Sequence, residues 1–131
     1  MSGLRVLGFG ARLTAEGVRS LVALLADGHL KELEKLFLQD NRGLGDEGAA
    51  AMAGALSEGR LPKLEELDLG NTGMGDAGAA ALAAAVAGGG APVLKKLIVG
   101  ENGFGEGGTQ ALKAAGAARG VAMMAGYFDA L

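Results

Sequence analysis

The side chains able to do acid–base, nucleophilic or metal chemistry are few and scattered. His29 is the single histidine, set in a turn near Asp27, and the chain has no cysteine. A metal site or a nucleophile–base pair needs further ligands or a base at set spacings, and His29 has no second His or Cys. Ser2, Ser20 and Ser57 lie in no nucleophile-elbow context. Gly8-Phe9-Gly10 supplies two glycines of a dinucleotide fingerprint, but Leu13 stands where the third belongs. Gly103-Phe104-Gly105-Glu106-Gly107 is the same loop further on, and no phosphate-binding G-x-x-x-x-G-K-[ST] occurs. Asp46, Asp76 and Glu106 come once per structural unit, which marks a repeated column and not a catalytic dyad. The expectation is a chain that is not an enzyme, with no cofactor and no metal.

The elements that position these residues follow from self-similarity. Leu33-x-x-Leu36-x-Leu38-x-x-Asn41 recurs as Leu64-x-x-Leu67-x-Leu69 and as Leu94-x-x-Leu97-x-Val99-x-x-Asn102. An earlier copy is Leu4-x-x-Leu7-x-Phe9, so the starts are 29, 31 and 30 residues apart. A second block follows each: Leu44-Gly-Asp46-Glu-Gly48 matches Met74-Gly-Asp76-Ala-Gly78, then Phe104-Gly-Glu106-Gly-Gly108, with Leu13-Thr-Ala-Glu-Gly17 a degraded first copy. Further columns hold Leu21, Met52, Leu82 and Leu112, and Leu25, Leu56, Val86 and Gly116.

Each unit changes period along its length. The Leu-x-Leu core alternates as a strand does, and the Ala/Leu stretch repeats at three and four as a helix does. Asp46 and Asp76 sit where a helix N-cap belongs. Gly28, Gly59 and Gly88 to Gly90 end the helices, and Pro62 and Pro92 prevent their resumption. Ala51, Ala55, Ala81 and Ala85 let a helix lie close to its strand. The shared Gly17, Gly48, Gly78 and Gly108 column predicts a close approach, since glycine inside a helix costs about 1 kcal/mol.

This pattern resembles the ribonuclease-inhibitor-like subfamily of leucine-rich repeats, over about residues 4 to 119. The resemblance implies an α/β fold: a right-handed solenoid, or horseshoe segment, with a parallel sheet on the concave face and helices on the convex face. It implies one domain over residues 1–131, with repeats at about 4–32, 33–63, 64–93 and 94–120 and a C-terminal strand or cap at 121–131. It also places Asn41 and Asn102 in an asparagine ladder bonded to neighbouring backbone. Asn71 is assigned to the same ladder, although it sits one place early in a loop one residue shorter. Arg12 occupies the ladder position of the first unit, and the usual Cys alternatives are absent.

Charge and composition limit the partners. Net charge is −3, from 12 basic and 15 acidic residues, which gives no footprint for nucleic acid or an anionic membrane. Half the residues are hydrophobic, yet no apolar run approaches the ~18 needed to span a bilayer. The 25 glycines alternate with Leu and Ala in register, against a flexible linker. No cysteine and no N-x-Ser/Thr sequon occurs, which fits a reducing, cytoplasmic location. Arg5, Arg12 and Arg19 with only Glu16 resemble a transit peptide, but the same segment aligns as the first repeat.

In such strands the residues between the leucines face the concave surface. That set is Val6, Gly8 and Gly10, then Lys35, Phe37 and Gln39, then Glu66, Asp68 and Gly70, then Lys96, Ile98 and Gly100. Lys35, Glu66 and Lys96 fall in one row of alternating sign, which a surface ion-pair ladder would explain. Phe37 and Ile98 are apolar residues expected on a solvated face, hence candidate anchors for a protein partner. Lys35, Phe37, Gln39, Glu66, Asp68, Lys96 and Ile98 are therefore the expected partner-binding residues. The alternative is a self-associating or purely structural scaffold, a fragment of a longer solenoid, because no polar cap precedes Leu4 and an open first repeat invites a homo-oligomer. At the other end, Arg119-Gly120 breaks the last helix, Val121 to Met124 reads as a fifth strand, and Tyr127, Phe128 and Leu131 are expected to fold over as a cap.

Overall fold

The computed structural model describes residues 3–9 and 13–131. Strands and helices alternate: β1 (Val6–Gly8), α1 (Ala15–Ala26), β2 (Lys35–Phe37), α2 (Gly45–Ser57), β3 (Glu66–Asp68), α3 (Asp76–Ala87), β4 (Lys96–Ile98), α4 (Glu106–Arg119) and β5 (Ala122–Met124). The strands form one parallel sheet in chain order, β1-β2-β3-β4-β5. Each crossover from strand to strand is a helix, so this is a leucine-rich-repeat-type solenoid segment.

The register follows the repeat. Leu7, Leu36, Leu67, Leu97 and Met123 stand side by side at the middle of successive strands. Leu36, Leu67 and Leu97 are wholly buried, as are Leu33 and Leu64 before the strands and Leu38 and Val99 after them. From the helices, Met52, Leu82 and Leu112 fill the other side of the same core. Each strand is only three residues long because the backbone turns directly after it. At the turn Asp40, Asn71 and Glu101 all have positive φ, one per repeat. That is a strained region for residues with a side chain, and Asn and Asp tolerate it best.

The glycine column of the first helical turn has a specific use. A Cβ on Gly78 would come within 2.9 Å of the Ala49 Cβ on the preceding helix and 2.7 Å of an Asp46 oxygen. One on Gly108 would meet Ala79 and Asp76 in the same way, at 3.0 and 2.8 Å. The close approach expected from the sequence is thus an approach of helix to helix as well as within the repeat. At Gly48 the atom met is the Cβ of its own unit's Leu44, at 2.9 Å.

The capping aspartates serve a different helix from the one expected. The Asp46 Oδ1 accepts hydrogen bonds from the amides of Gly75 (2.7 Å) and Gly78 (2.8 Å), at the start of α3. Asp76 Oδ1 accepts from Gly105 (2.8 Å) and Gly108 (3.1 Å), at the start of α4. The N-cap residues of α3 and α4 are Gly75 and Gly105, and neither has a side chain to cap its own helix. Each aspartate therefore sits in its own first helical turn but neutralises the free amides of the next helix. The offset arises because neighbouring helices start side by side, close enough for a short carboxylate to reach across.

The far ends of the helices close as the glycines require. Gly59, Gly89 and Gly120 all take positive φ just after α2, α3 and α4. Behind them Arg60 N donates to Ala55 O and Gly90 N to Ala85 O, both at 3.0 Å, satisfying last-turn carbonyls.

The concave face as candidate functional site

The three rows of the concave face begin at the N-terminal end of the strands. Val6, Lys35, Glu66, Lys96 and Ala122 lie in one row, and Gly8, Phe37, Asp68, Ile98 and Met124 in the next. Lys35 Nζ lies 3.8 Å from Glu66 Oε2, a surface pair of small energetic weight. The row does not continue as an ion-pair ladder. Lys96 Nζ instead lies 5.5 Å from the centre of the Tyr127 ring, within cation–π range.

Phe37 is half-buried and Lys35 is exposed, so both are open to solvent. Gln39 is half-buried, and its Oε1 is buried with no hydrogen-bond partner. Glu66 and Lys96 are partly covered. Asp68 and Ile98, expected on the solvated face, are buried at 4 and 3% exposure. This corrects the sequence reading for both. The physical reason is the C-terminal segment, which turns back across this part of the face. A Cβ on Gly100 would collide with the carbonyl oxygen of Ala125, so that strand end is covered by backbone. Gly70 contributes in its own way, leaving room for Asp68 Oδ1, which accepts the Gly70 amide at 2.9 Å. Burial raises the Asp68 carboxyl above its ordinary range against that bond, with Asp40 and Glu66 adding to the rise. Gly10, in the same glycine row, lies outside the described residues, as does Arg12.

The C-terminal cap differs from expectation in one residue. Leu131 packs against the core, and its amide donates to Met123 O at 2.9 Å. Tyr127 is 44% exposed, whereas Phe128 is 97% exposed and covers nothing. Burial, with the nearby Glu66 and Asp68 charges, raises the Tyr127 hydroxyl above its ordinary pKa.

The asparagines at the ends of β2 and β4 join one repeat to the loop of the repeat before. Asn41 Nδ2 donates to Leu38 O (2.9 Å) and Gln39 O (3.2 Å), and its Oδ1 accepts the amide of Leu13 at 2.5 Å. Asn102 Nδ2 donates to Leu69 O, Val99 O and Gly100 O, while its Oδ1 accepts from Thr72 and Met74 amides at 2.9 and 3.1 Å. Asn71 makes none of these bonds. It sits at the positive-φ corner, donating to Asp40 Oδ1 and accepting from Arg42 Nε. The interior position belongs to Thr72, whose hydroxyl donates to Leu69 O at 2.9 Å. Thr72 is the residue that the sequence reading missed, and the signal for it was the count of three from Leu69, matching Leu38 to Asn41 and Val99 to Asn102.

Residues 29–53 and 60–83 match the model of the leucine-rich repeat family. This part of the chain is a leucine-rich repeat region. No curated protein matches the chain. The two matched leucine-rich repeats span β2, most of α2, β3 and most of α3. They contain Lys35, Phe37, Gln39, Glu66 and Asp68, and the two aspartates that cap the following helices. Among the described residues, no three His, Asp or Glu side chains converge as a metal site, and no helix is long and apolar enough to cross a membrane. His29 is exposed in its turn.

Proposed function

We propose that the chain is a structural repeat scaffold of the ribonuclease-inhibitor-like kind, one domain over residues 1–131, that self-associates through its first repeat. The carrying observation is a break in the burial of the leucine columns. Leu7, Phe9 and Leu13 are only partly buried, whereas Leu36, Leu38 and Leu44 in the same columns of the next repeat are 0–1% exposed. Val6 on β1 is 52% exposed, and β1 has no strand on its outer side among the described residues. Apolar columns of this kind are stable when stacked, and an unpaired strand edge is a template for pairing with a second copy. A cytoplasmic location belongs to the same proposal and rests on the cysteine-free composition.

Light scattering after size exclusion, over a range of concentrations, tests this. The mass is expected to rise toward twice the chain mass as concentration increases, and Val6→Lys is expected to hold it at one chain. A mass equal to one chain at every concentration contradicts self-association.

A second reading, binding of a protein partner through the concave face, is favoured by the open half of that face. There Phe37 is half-buried beside Lys35, with Gln39 Oε1 unpartnered. Under this reading Lys35, Phe37 and Gln39 make the primary contacts, with Glu66 and Lys96 at the margin. Phe37→Ala is expected to weaken capture of such a partner at least ten-fold with the melting temperature within a few degrees of wild type. A collapse of the fold on this substitution would make Phe37 a core residue instead.

A further inference from the structure

The two ends of the sheet differ in what they offer a neighbour. Beyond β5 the chain doubles back on itself. Met124 and Ala130 form an antiparallel bridge, the Leu131 amide donates to Met123 O at 2.9 Å, and Asp129 O accepts the amides of Ala125 and Gly126 in the turn between. Leu131 packs on the core, so that edge is already paired. On β1, Arg5 O accepts Lys35 N at 2.9 Å and Phe9 N donates to Phe37 O at 3.1 Å, both toward β2. Backbone groups alternate in direction along a strand, so the N–H and C=O of Val6 and Gly8 point away from β2. Among the described residues nothing bonds to them. Val6 and Gly8 also share the concave face, where Val6 is exposed and Gly8 carries no side chain. Phe37 lies beside that gap, its Cβ 3.7 Å from where a Cβ on Gly8 would be.

We propose that two copies of the chain pair β1 with β1 in antiparallel fashion, about a two-fold axis through Leu7 and normal to the sheet, giving one continuous sheet with five strands from each copy. In this register Val6 stands opposite Gly8 of the second copy, and Gly8 opposite Val6 of the second copy. These two pairs exchange the outward N–H and C=O groups. Each valine enters the gap over the facing glycine and meets the Phe37 beside it, so the apolar residues left open on the concave face cover one another. On the core side Leu7 meets Leu7 of the second copy, and the partly buried Leu7 and Phe9 columns of the two first repeats join. A parallel pairing of the same two edges lacks this fit. Its two-fold axis would run along the strands and set the concave face of one copy on the helical side of the other. Pairing of β1 with β5 would build an open filament, but the Ala130 bridge and the Leu131 amide occupy that edge. The association therefore closes at two chains.

This pairing rests on the self-association reading and adds its register and its symmetry, so the two fail differently. A mass of one chain at every concentration removes both. The chain has no cysteine, so an introduced one is unique. In the full chain Leu7→Cys is expected to give a disulfide-linked dimer under mild oxidation, since facing Cα atoms at such a position lie about 4.5 Å apart. Arg5→Cys is expected to give none, because two Arg5 positions would be offset by roughly 14 Å along the strands. Should Leu7→Cys not fold, Val6→Cys mixed with Gly8→Cys decides, both positions being exposed. Linkage between those two variants is expected to exceed linkage of either with itself at least five-fold. Phe37→Ala is expected to weaken association at least ten-fold with its far-UV circular dichroism unchanged. A rise to twice the chain mass without these links, a mass beyond two chains, or an association unchanged by Phe37→Ala overturns the β1 pairing and leaves self-association standing.

Discussion

Asn102→Ala is expected to lower the unfolding free energy by about 3 kcal/mol, read from urea denaturation. The side chain serves two repeats at once. Its oxygen accepts from the amides of Thr72 and Met74, and its Nδ2 donates to the carbonyls of Leu69, Val99 and Gly100. Thr72 and Met74 are buried, at 1 and 0% exposure, so water has poor access to the amides that alanine would strand. An unsatisfied buried donor costs about 1–3 kcal/mol, and two are left here. Part of that is recovered as the loop shifts to admit water, which sets the estimate at 3 rather than the full sum. Thr72→Val provides the internal comparison. It removes a hydroxyl that donates to Leu69 O, a carbonyl that Asn102 also satisfies, so about 1 kcal/mol is expected. Equal losses from the two substitutions would refute this account of the junction.

Leu67→Ala is expected to cost about 4 kcal/mol, the upper part of the usual range for such truncations. Leu67 is wholly buried at the middle of β3, flanked in register by Leu36 and Leu97, which are wholly buried too. Hydrogen-bonded strands on both sides keep the neighbours from closing the hole, and a cavity that cannot collapse is the costly kind. The same truncation at Leu7 is expected to cost about half as much, since Leu7 is only partly buried on the edge strand. The urea transition of Leu67→Ala is also expected to broaden. In a solenoid each repeat touches only its neighbours, so a fault in the centre uncouples the two sides. If Leu7→Ala and Leu67→Ala cost the same, the burial gradient along the array is not what sets stability.

The repeat was legible because its information is local and periodic. Leu36, Leu67 and Leu97 recur with the same neighbours, and a single period assigned strand, turn and helix to each copy. The row of Lys35, Glu66 and Lys96 was legible for the same reason, since equal register in a parallel sheet follows from equal position in the repeat. What the sequence hid depends on contacts between units or on the aperiodic tail. Asp46 is recognisable as a capping residue, but which helix it caps is decided by how neighbouring helices line up. Asn71 drew attention by its type, although the geometry counts from Leu69 and selects Thr72. Ile98 and Asp68 follow the alternation of an outward face, yet residues 125–131, which share no pattern with the repeats, turn back across that part of the sheet. Phe128 shows the converse, since its apolar side chain suggested a cap and the turn holds it in solvent.

The reach of Asp46 and Asp76 into the following helix bears on how such an array can grow. A unit that capped its own helix would be indifferent to what precedes it. Here the carboxylate in one unit and the glycine amides it satisfies in the next are offset by about one period, 29 and 32 residues for both aspartates. Duplicating a stretch of one period within the array copies an acceptor and a receiving helix together. Both new junctions then contain a donor–acceptor set already in register, and no compensating substitution is needed for the inserted unit to be capped. Deleting one period heals in the same way, so tandem gain and loss of units leave this hydrogen-bonding scheme intact.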